Sequence, residues 1–147
     1  MGNETQQQRE LESVKNGEFI CRGSQISMSK DIGAHGNFFG GKLSSTMDEA
    51  AAVFAAEICD SPMMVTKILN IEYILPVKVD KIIKTYCKLI SIGRTSIKID
   101  IELRKYSVHT ELEQVVCKAN SVFVKVDDEG NAIPISDRIR TKFNITK

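Results

Sequence analysis

Two periods of hydrophobic residues divide this chain into a helical part and a sheet-forming part. Between residues 42 and 59, apolar side chains recur at the spacing of one helix face, and most other positions are alanine or another small residue. From residue 65 onward, apolar and polar residues alternate with a period of two, as in a strand with one buried face. The apolar stripe of the predicted helix consists of Leu43, Met47, Ala50, Ala51, Phe54 and Ile58.

Five strands are predicted, one before the helix and four after it. The clearest runs from Thr95 to Tyr106, where apolar residues face one way and charged residues face the other. The last four strands are joined by short connections and can run as an antiparallel meander. The pattern predicts an α+β domain with one long central helix packed on one face of an antiparallel sheet. The predicted strands cover residues 19–28, 65–77, 81–92, 95–106 and 114–126.

The two ends of the chain differ from the middle in composition. Residues 1–16 are polar and rich in Gln and Glu, and we expect a frayed N-terminal tail. Residues 135–147 are polar and basic, and we expect a solvated C-terminal tail. Residues 17–134 then form the folded domain, which agrees with a chain of single-domain length. A sheet covered on one face only, with open edges, favours the pairing of two subunits.

Charge and cysteine usage narrow the range of partners. A net charge of +1 gives no long-range field that attracts nucleic acid or an anionic membrane. No run approaches the roughly 18 apolar residues of a membrane span, and the N-terminus lacks the apolar core of a signal peptide. The four cysteines lie far apart with no C-x-x-C pair. We therefore expect a cytoplasmic protein with reduced thiols, no bound metal, and no nucleic-acid or membrane partner.

One acid is out of keeping with the helical segment around it. Asp48 lies near the middle of a run that is otherwise small and mostly apolar, and it follows Gly41 by seven residues. That spacing is two helical turns along the same face. Composition alone supports two interpretations equally: a solvent-facing acid near the first turn, favoured by the helix dipole, and a functional carboxylate.

Four segments of the chain together resemble one family. They are G-N-F-F-G-G-K-L-S-S-T-M-D-E-A-A-A (residues 36–52), N-I-E-Y-I-L-P-V (70–77), I-G-R-T-S-I-K-I (92–99) and V-F-V-K-V-D-D-E-G-N (122–131). In this order they resemble the hotdog-fold acyl-CoA thioesterases of the bacterial YciA type, over about residues 17–134. The resemblance implies a hotdog fold, in which an antiparallel sheet of about five or six strands wraps one helix. It also implies a homodimer with edge-to-edge sheets and active sites at the interface, often assembled into a homohexamer.

The same resemblance implies that acyl-CoA is hydrolysed to free acid and CoA, a step of lipid metabolism, without a separate cofactor. The catalytic carboxylate of the family falls on Asp48, which acts either as general base on water or as nucleophile; the sequence leaves both open. The asparagine that some relatives use opposite the acid falls on Asn37, which is otherwise an ordinary turn residue. The CoA-binding turn falls on Gly93, Arg94, Thr95 and Ser96, which without the family are a polar hairpin tip.

The two glycines before the acid suit the same chemistry. Thioester hydrolysis needs a donor for the developing oxyanion. Gly40 and Gly41 precede the first helical turn, where backbone N–H groups lack intrahelical acceptors. Without a Cβ, they allow a thioester carbonyl to approach the backbone, and the helix dipole favours the anion. We predict that Gly41 donates to the oxyanion, that Gly40 contacts the substrate, and that Asp48 lies deeper in the same cleft.

Two other functions are compatible with the predicted fold. One is an acyl-CoA-binding sensor without turnover, which usually carries an appended DNA-binding segment; residues 1–16 are too short for one. The other is a hotdog dehydratase, which needs a catalytic histidine paired with an acid. His35 is the one histidine in a plausible position, and the proline-containing loop of dehydratases is missing; His109 lies in a polar surface segment. Hydrolysis of acyl-CoA is therefore the favoured interpretation.

Overall fold

The computed structural model describes residues 5–28, 30, 40–62 and 64–143. These residues form five strands, one long helix between the first and second strands, and a short helix near each end. The elements are α1 (Gln6–Lys15), β1 (Ile20–Ile26), α2 (Gly40–Cys59), β2 (Met64–Tyr73), β3 (Ile82–Ile92), β4 (Ser96–Tyr106), β5 (Glu113–Lys125) and α3 (Asp137–Lys142). The long helix and all five strands lie within a few residues of their predicted positions.

The five strands form one antiparallel sheet in the order β1-β3-β4-β5-β2. The predicted meander is correct for β3, β4 and β5, but it is wrong for β2, which pairs with β5 at the far edge. The connection over residues 74–81 leads from β2, at one edge, past β5 and β4 to β3, which is three strand positions away. Eight residues reach at most about 27 Å, which exceeds the roughly 14 Å of three strand spacings. As a result, β1 and β2 are the two edge strands.

The core lies between α2 and one face of the sheet. The alternation predicted for β4 is confirmed, because its four inward side chains are at most 1% exposed. On β5 the buried parity is the one that contains Phe123. Ala51, Ala55 and Ala119 are also buried, so small side chains on both layers allow close packing of helix and sheet. The buried residues of α2 are Leu43, Met47, Ala51, Phe54, Ala55, Ile58 and Cys59.

The N-terminal segment is folded from Thr5 onward, contrary to the predicted frayed tail. Helix α1 begins with a capping box, in which the Thr5 side chain accepts from the Gln8 N–H and the Gln8 side chain accepts from the Thr5 N–H. Val14 is buried in the core and Leu11 packs against it. The polar composition concealed these two apolar positions, which lie three residues apart on one helix face.

The predicted C-terminal tail is also packed, at least as far as Phe143. Ile139 on α3 is buried, and so are Ile135, just before the N-cap of the helix, and Phe143 at its C-cap. The Ser136 side chain caps the helix by accepting from the Ile139 N–H at 3.4 Å. Basic residues between these positions gave the segment its polar appearance in the sequence.

A buried serine joins the end of β1 to the turn that precedes β3. The Ser27 hydroxyl donates to the Lys78 carbonyl at 2.6 Å and accepts from the Lys81 N–H at 3.0 Å. The Ser27 backbone also bonds the N–H of Asp80 and the carbonyl of Lys81, at 2.8 and 2.9 Å. Asp80 has a φ of 63°, so the turn is held in a left-handed conformation that non-glycine residues rarely adopt. Ser27 therefore satisfies the polar groups of a strained turn.

Replacing this serine tests the contribution of the buried hydroxyl. We expect Ser27→Ala to lower the free energy of unfolding by about 1–3 kcal/mol, because the Lys78 carbonyl and the Lys81 N–H both lose a buried partner. Urea denaturation measures the change. Ser24→Ala, at an exposed position of the same strand, is the control and should change stability by less than about 0.5 kcal/mol. Equal stability of the two variants would contradict this account.

Candidate active site

A side-chain hydrogen bond connects the acid of the central helix to the edge strand. Asp48 is half-buried on α2, and the Thr66 hydroxyl on β2 donates to its Oδ1 at 2.6 Å. A bond of this length to a carboxylate is a strong, charge-assisted one. Among the described residues, Asp48 has no second hydrogen-bond partner. The carboxylate is thus oriented through one oxygen and keeps acceptor capacity on the other.

Thr66, the hydrogen-bond partner of Asp48, was not predicted from the sequence. A threonine in a strand is common, because its branched side chain suits a pleated surface. Its position depends on the pairing of β2 with β5, where the register shifts between Thr66 and Ile68. That pairing is not encoded in the period of the sequence, so no local signal marked Thr66.

The two glycines that are predicted to bind the substrate lie at the beginning of α2 in the described residues. Gly40 and Gly41 are the first residues of the helix, so their N–H groups belong to the turn that lacks intrahelical acceptors. The Tyr73 hydroxyl, at the end of β2, donates to the Gly40 carbonyl at 3.2 Å. Gly41 and Asp48 are separated by about 10 Å along the helix axis and lie on the same face. The structure therefore places the predicted donors and the acid on one helix.

The predicted CoA-binding turn is held by backbone hydrogen bonds on both sides. The Gly93 N–H donates to the Ser96 carbonyl at 2.7 Å. The Arg94 carbonyl accepts from the Ile135 N–H at 2.7 Å, and the Thr95 carbonyl accepts from the Lys125 N–H at 2.9 Å. The Arg94 side chain itself is exposed. The backbone of this turn is thus fixed, and the Arg94 guanidinium lies in solvent.

The strand register places the turn and the acid at the same end of the sheet. Thr66 lies opposite Phe123, which lies opposite Ile97, next to Ser96 of the turn. Two strand spacings, about 10 Å, separate the backbones of Thr66 and Ile97. The structure therefore brings Asp48 and the Arg94–Ser96 turn into one region.

The remaining candidates lie outside this group. His35 and Asn37 fall outside the described residues. His109 is exposed in the connection between β4 and β5, as predicted. Glu49, next to the catalytic candidate in the sequence, is exposed and accepts from the Ser45 hydroxyl at 3.4 Å. Of the two neighbouring acids on α2, Asp48 is thus the one that faces the sheet.

The cysteines do not provide a nucleophile near this region. All four are free: Cys59, Cys87 and Cys117 are buried, and the exposed Cys21 lies on β1, at the edge of the sheet opposite β2. Burial raises the pKa of Cys87 to about 12 and the pKa values of Cys59 and Cys117 to about 11, so these thiols stay protonated at neutral pH. In the part of the chain that the structure describes, no three His, Cys, Asp or Glu side chains are grouped to hold a metal ion. No helix in that part is long and apolar enough to span a membrane.

The opposite face of the sheet carries a cluster of charges that is structural. The Arg104 guanidinium contacts Glu102 at 2.9 Å and Glu113 at 3.2 Å, and lies 3.9 Å from the centre of the Tyr86 ring. Burial, together with the hydrogen bond to Glu113, raises the pKa of Tyr86 to about 12. Burial raises the pKa of Glu113, but hydrogen bonds from Tyr86 and Arg104 outweigh this and leave the pKa below its ordinary value. These side chains pair with one another on the face of the sheet that lies away from α2.

Comparisons with known proteins identify the family. Residues 35–111 match the thioesterase superfamily. The acyl-CoA thioester hydrolase YciA of Salmonella typhimurium is 30% identical over 128 residues, which cover 85% of this chain and 95% of that protein. The hexameric thioesterase y2039 of Yersinia pestis has a TM-score of 0.75 at 29% identity, over 81% of this chain and 97% of that one. The hexameric hotdog fold thioesterase Cj0915 of Campylobacter jejuni has a TM-score of 0.75 at 28% identity, over 85% and 96%.

These matches cover most of the described chain and agree with its topology. The chain belongs to the thioesterase superfamily. The predicted hotdog fold is confirmed, since one long helix is wrapped by a five-stranded antiparallel sheet.

The Thr66–Asp48 bond is testable with a variant of the same shape. We expect Thr66→Val to lower the turnover number for thioester hydrolysis by about 10- to 100-fold, because a charge-assisted bond of roughly 1.5–3 kcal/mol no longer orients the acid. Steady-state kinetics with a thermal melt as folding control measures the change. Thr66→Ser keeps the hydroxyl and should retain most of the activity. A Thr66→Val protein as active as the natural one would show that this bond is not needed.

Proposed function

We propose that this protein is an acyl-CoA thioesterase, which hydrolyses acyl-CoA to a free carboxylic acid and CoA. The observation that carries the proposal is the Thr66-oriented carboxylate of Asp48, on a helix that begins with Gly40 and Gly41. The likeness to YciA, an acyl-CoA thioester hydrolase, supports the substrate class. Hydrolysis of acyl-CoA is a step of lipid metabolism. It requires water, a base and an oxyanion donor, and no separate cofactor.

In the proposed mechanism, Asp48 acts as general base. It removes a proton from a water molecule, whose oxygen attacks the thioester carbonyl carbon. The resulting oxyanion accepts hydrogen bonds from the N–H groups at the start of α2, with Gly41 as donor and Gly40 in contact with the substrate. When the intermediate collapses, the C–S bond breaks, and the proton held by Asp48 passes to the departing CoA sulfur.

The spacing along α2 supports a water molecule between acid and thioester. About 10 Å of helix axis separates Gly41 from Asp48. A carbonyl bound to the first turn and a water bound to the carboxylate, each through a hydrogen bond of about 2.8 Å, fit in series within that length. Asn37 is proposed to orient the water or the carbonyl, on the basis of the motif alone. Direct attack by the carboxylate would form an anhydride and is the alternative for this step.

The nucleotide end of CoA is proposed to bind at the Arg94–Ser96 turn. Arg94 supplies an exposed guanidinium for the phosphates, and Thr95 and Ser96 add hydroxyl and backbone donors. The backbone bonds to this turn from Lys125 and Ile135 support a preformed binding surface. Its position at the end of the sheet that carries Asp48 supports binding of a single extended substrate.

We also propose a homodimer joined through β2, assembled into a homohexamer. β2 is an edge strand with a row of open backbone groups, and Val65 and Tyr73 on it are more than half exposed. Thr66 and Tyr73 both lie on this strand, so a partner strand would lie against the candidate site. Both solved relatives described above are hexameric. A cytoplasmic location belongs to the same proposal and follows the sequence-based expectation.

The function is tested by the release of free thiol from a panel of acyl-CoAs of different lengths. We expect Asp48→Asn to lower turnover by at least about 100-fold, as removal of a general base typically does, while the fold and CoA binding remain. Glu49→Gln is the matched control, since it neutralises the exposed neighbouring acid. Full activity of Asp48→Asn would exclude the mechanism. An unmodified protein that binds acyl-CoA without any turnover would instead indicate a sensor.

A further inference from the structure

Helix α2 begins with residues that are poorly suited to a rigid helix start. Glycine loses more backbone freedom on ordering than any other residue, and two glycines in succession favour fraying of the first turn. Pre-organised donors stabilise an oxyanion because they do not have to reorganise during the reaction. A site that uses Gly40 and Gly41 for close approach therefore needs another group to hold the turn.

Tyr73 makes the contacts that such a group requires. Its hydroxyl donates to the Gly40 carbonyl at 3.2 Å, although the residue is 54% exposed. Three atoms of its side chain lie 3.7 Å from the position that a Cβ on Gly40 would occupy, which is ordinary van der Waals contact. A carbonyl oxygen accepts two hydrogen bonds, so Gly40 can accept both from Tyr73 and from the helical N–H of Ser44.

The strand that carries Tyr73 is fixed independently of the helix start. Tyr73 pairs with Cys117 of β5, which is fully buried, and Cys117 pairs with Leu103 of β4, which is also fully buried. Seven residues earlier on the same strand, Thr66 holds Asp48. β2 thus contacts α2 at both of the positions that the proposed mechanism uses.

We infer that Tyr73 is a positioning residue, which holds the first turn of α2 so that its N–H groups are preset for the oxyanion. The inference rests on the proposed function for its catalytic consequence, and on the contact with Gly40 for its structural part. Tyr73 acts through the helix backbone and does not need to touch the reacting atoms.

Tyr73→Phe tests this role, because it keeps the ring and removes the hydroxyl. We expect the turnover number to fall about three- to tenfold with a KM changed by less than about twofold, as for loss of one hydrogen bond expressed in the transition state. We also expect amide hydrogen exchange at Ser44–Met47, whose N–H groups bond the first turn, to accelerate by a similar factor. Exchange at Phe54–Cys59, at the far end of the helix, should not change. Tyr106→Phe is the control, since that tyrosine lies on β4 beside Lys84.

A rescue variant separates positioning from other effects. Alanine favours the helical state of a residue about four- to fivefold more than glycine does, and a Cβ at position 40 fits beside Tyr73. Adding Gly40→Ala to Tyr73→Phe should therefore restore slow exchange at Ser44–Met47. Unchanged exchange in Tyr73→Phe, or faster exchange with unchanged turnover, would overturn the inference. If the natural protein hydrolyses no acyl-CoA, the proposed function fails, while the exchange measurement still decides whether Tyr73 holds the turn.

Discussion

The hydrogen bond between Thr66 and Asp48 is the interaction on which the candidate site depends. A half-buried carboxylate without a partner is costly, so its presence on an apolar helix requires a bonded neighbour. Thr66 supplies that neighbour from an edge strand, and the bond fixes the orientation of the acid relative to the sheet. The same bond fixes the position of α2 relative to β2 and, through the strand pairing, relative to the Arg94–Ser96 turn.

Close packing of the central helix makes this bond possible. Small residues on α2 and β5, such as Ala51, Ala55 and Ala119, bring the helix backbone near the sheet. A short side chain such as Asp48 can then reach a short side chain such as Thr66. Larger residues at those alanines would move the helix away from the sheet and break the Thr66–Asp48 bond, even with Asp48 itself unchanged.

Local periodicity accounts for the parts of the fold that the sequence predicted well. The stripe of α2 and the alternation of β4 depend on which side faces the core, and burial enforces both. The placement of β2 at the far edge could not be predicted, because alternation reports a buried face and not a pairing partner. The folded ends were missed for a different reason: Val14, Ile139 and a few other apolar residues were outnumbered by polar neighbours.

The candidate site was predictable only where a motif marked it. Asp48, the two glycines and the Arg94–Ser96 turn lie in segments with a recognisable order. Thr66 and Tyr73 are ordinary strand residues in the sequence, and they became site residues through the register of β2 and its contact with α2. Side chains that position a catalytic group act through tertiary geometry, which a single sequence does not record.

The central claim, that Asp48 activates water, is tested most directly by a single turnover in ¹⁸O-labelled water with enzyme in excess over acyl-CoA. If Asp48 is a general base, the first turnover places one solvent oxygen in the released carboxylic acid and none in the protein. Mass spectrometry of the acid and of the peptide containing Asp48 measures both products. Incorporation of ¹⁸O into the Asp48 carboxylate would contradict the account, since it requires an anhydride between the acid and the acyl group.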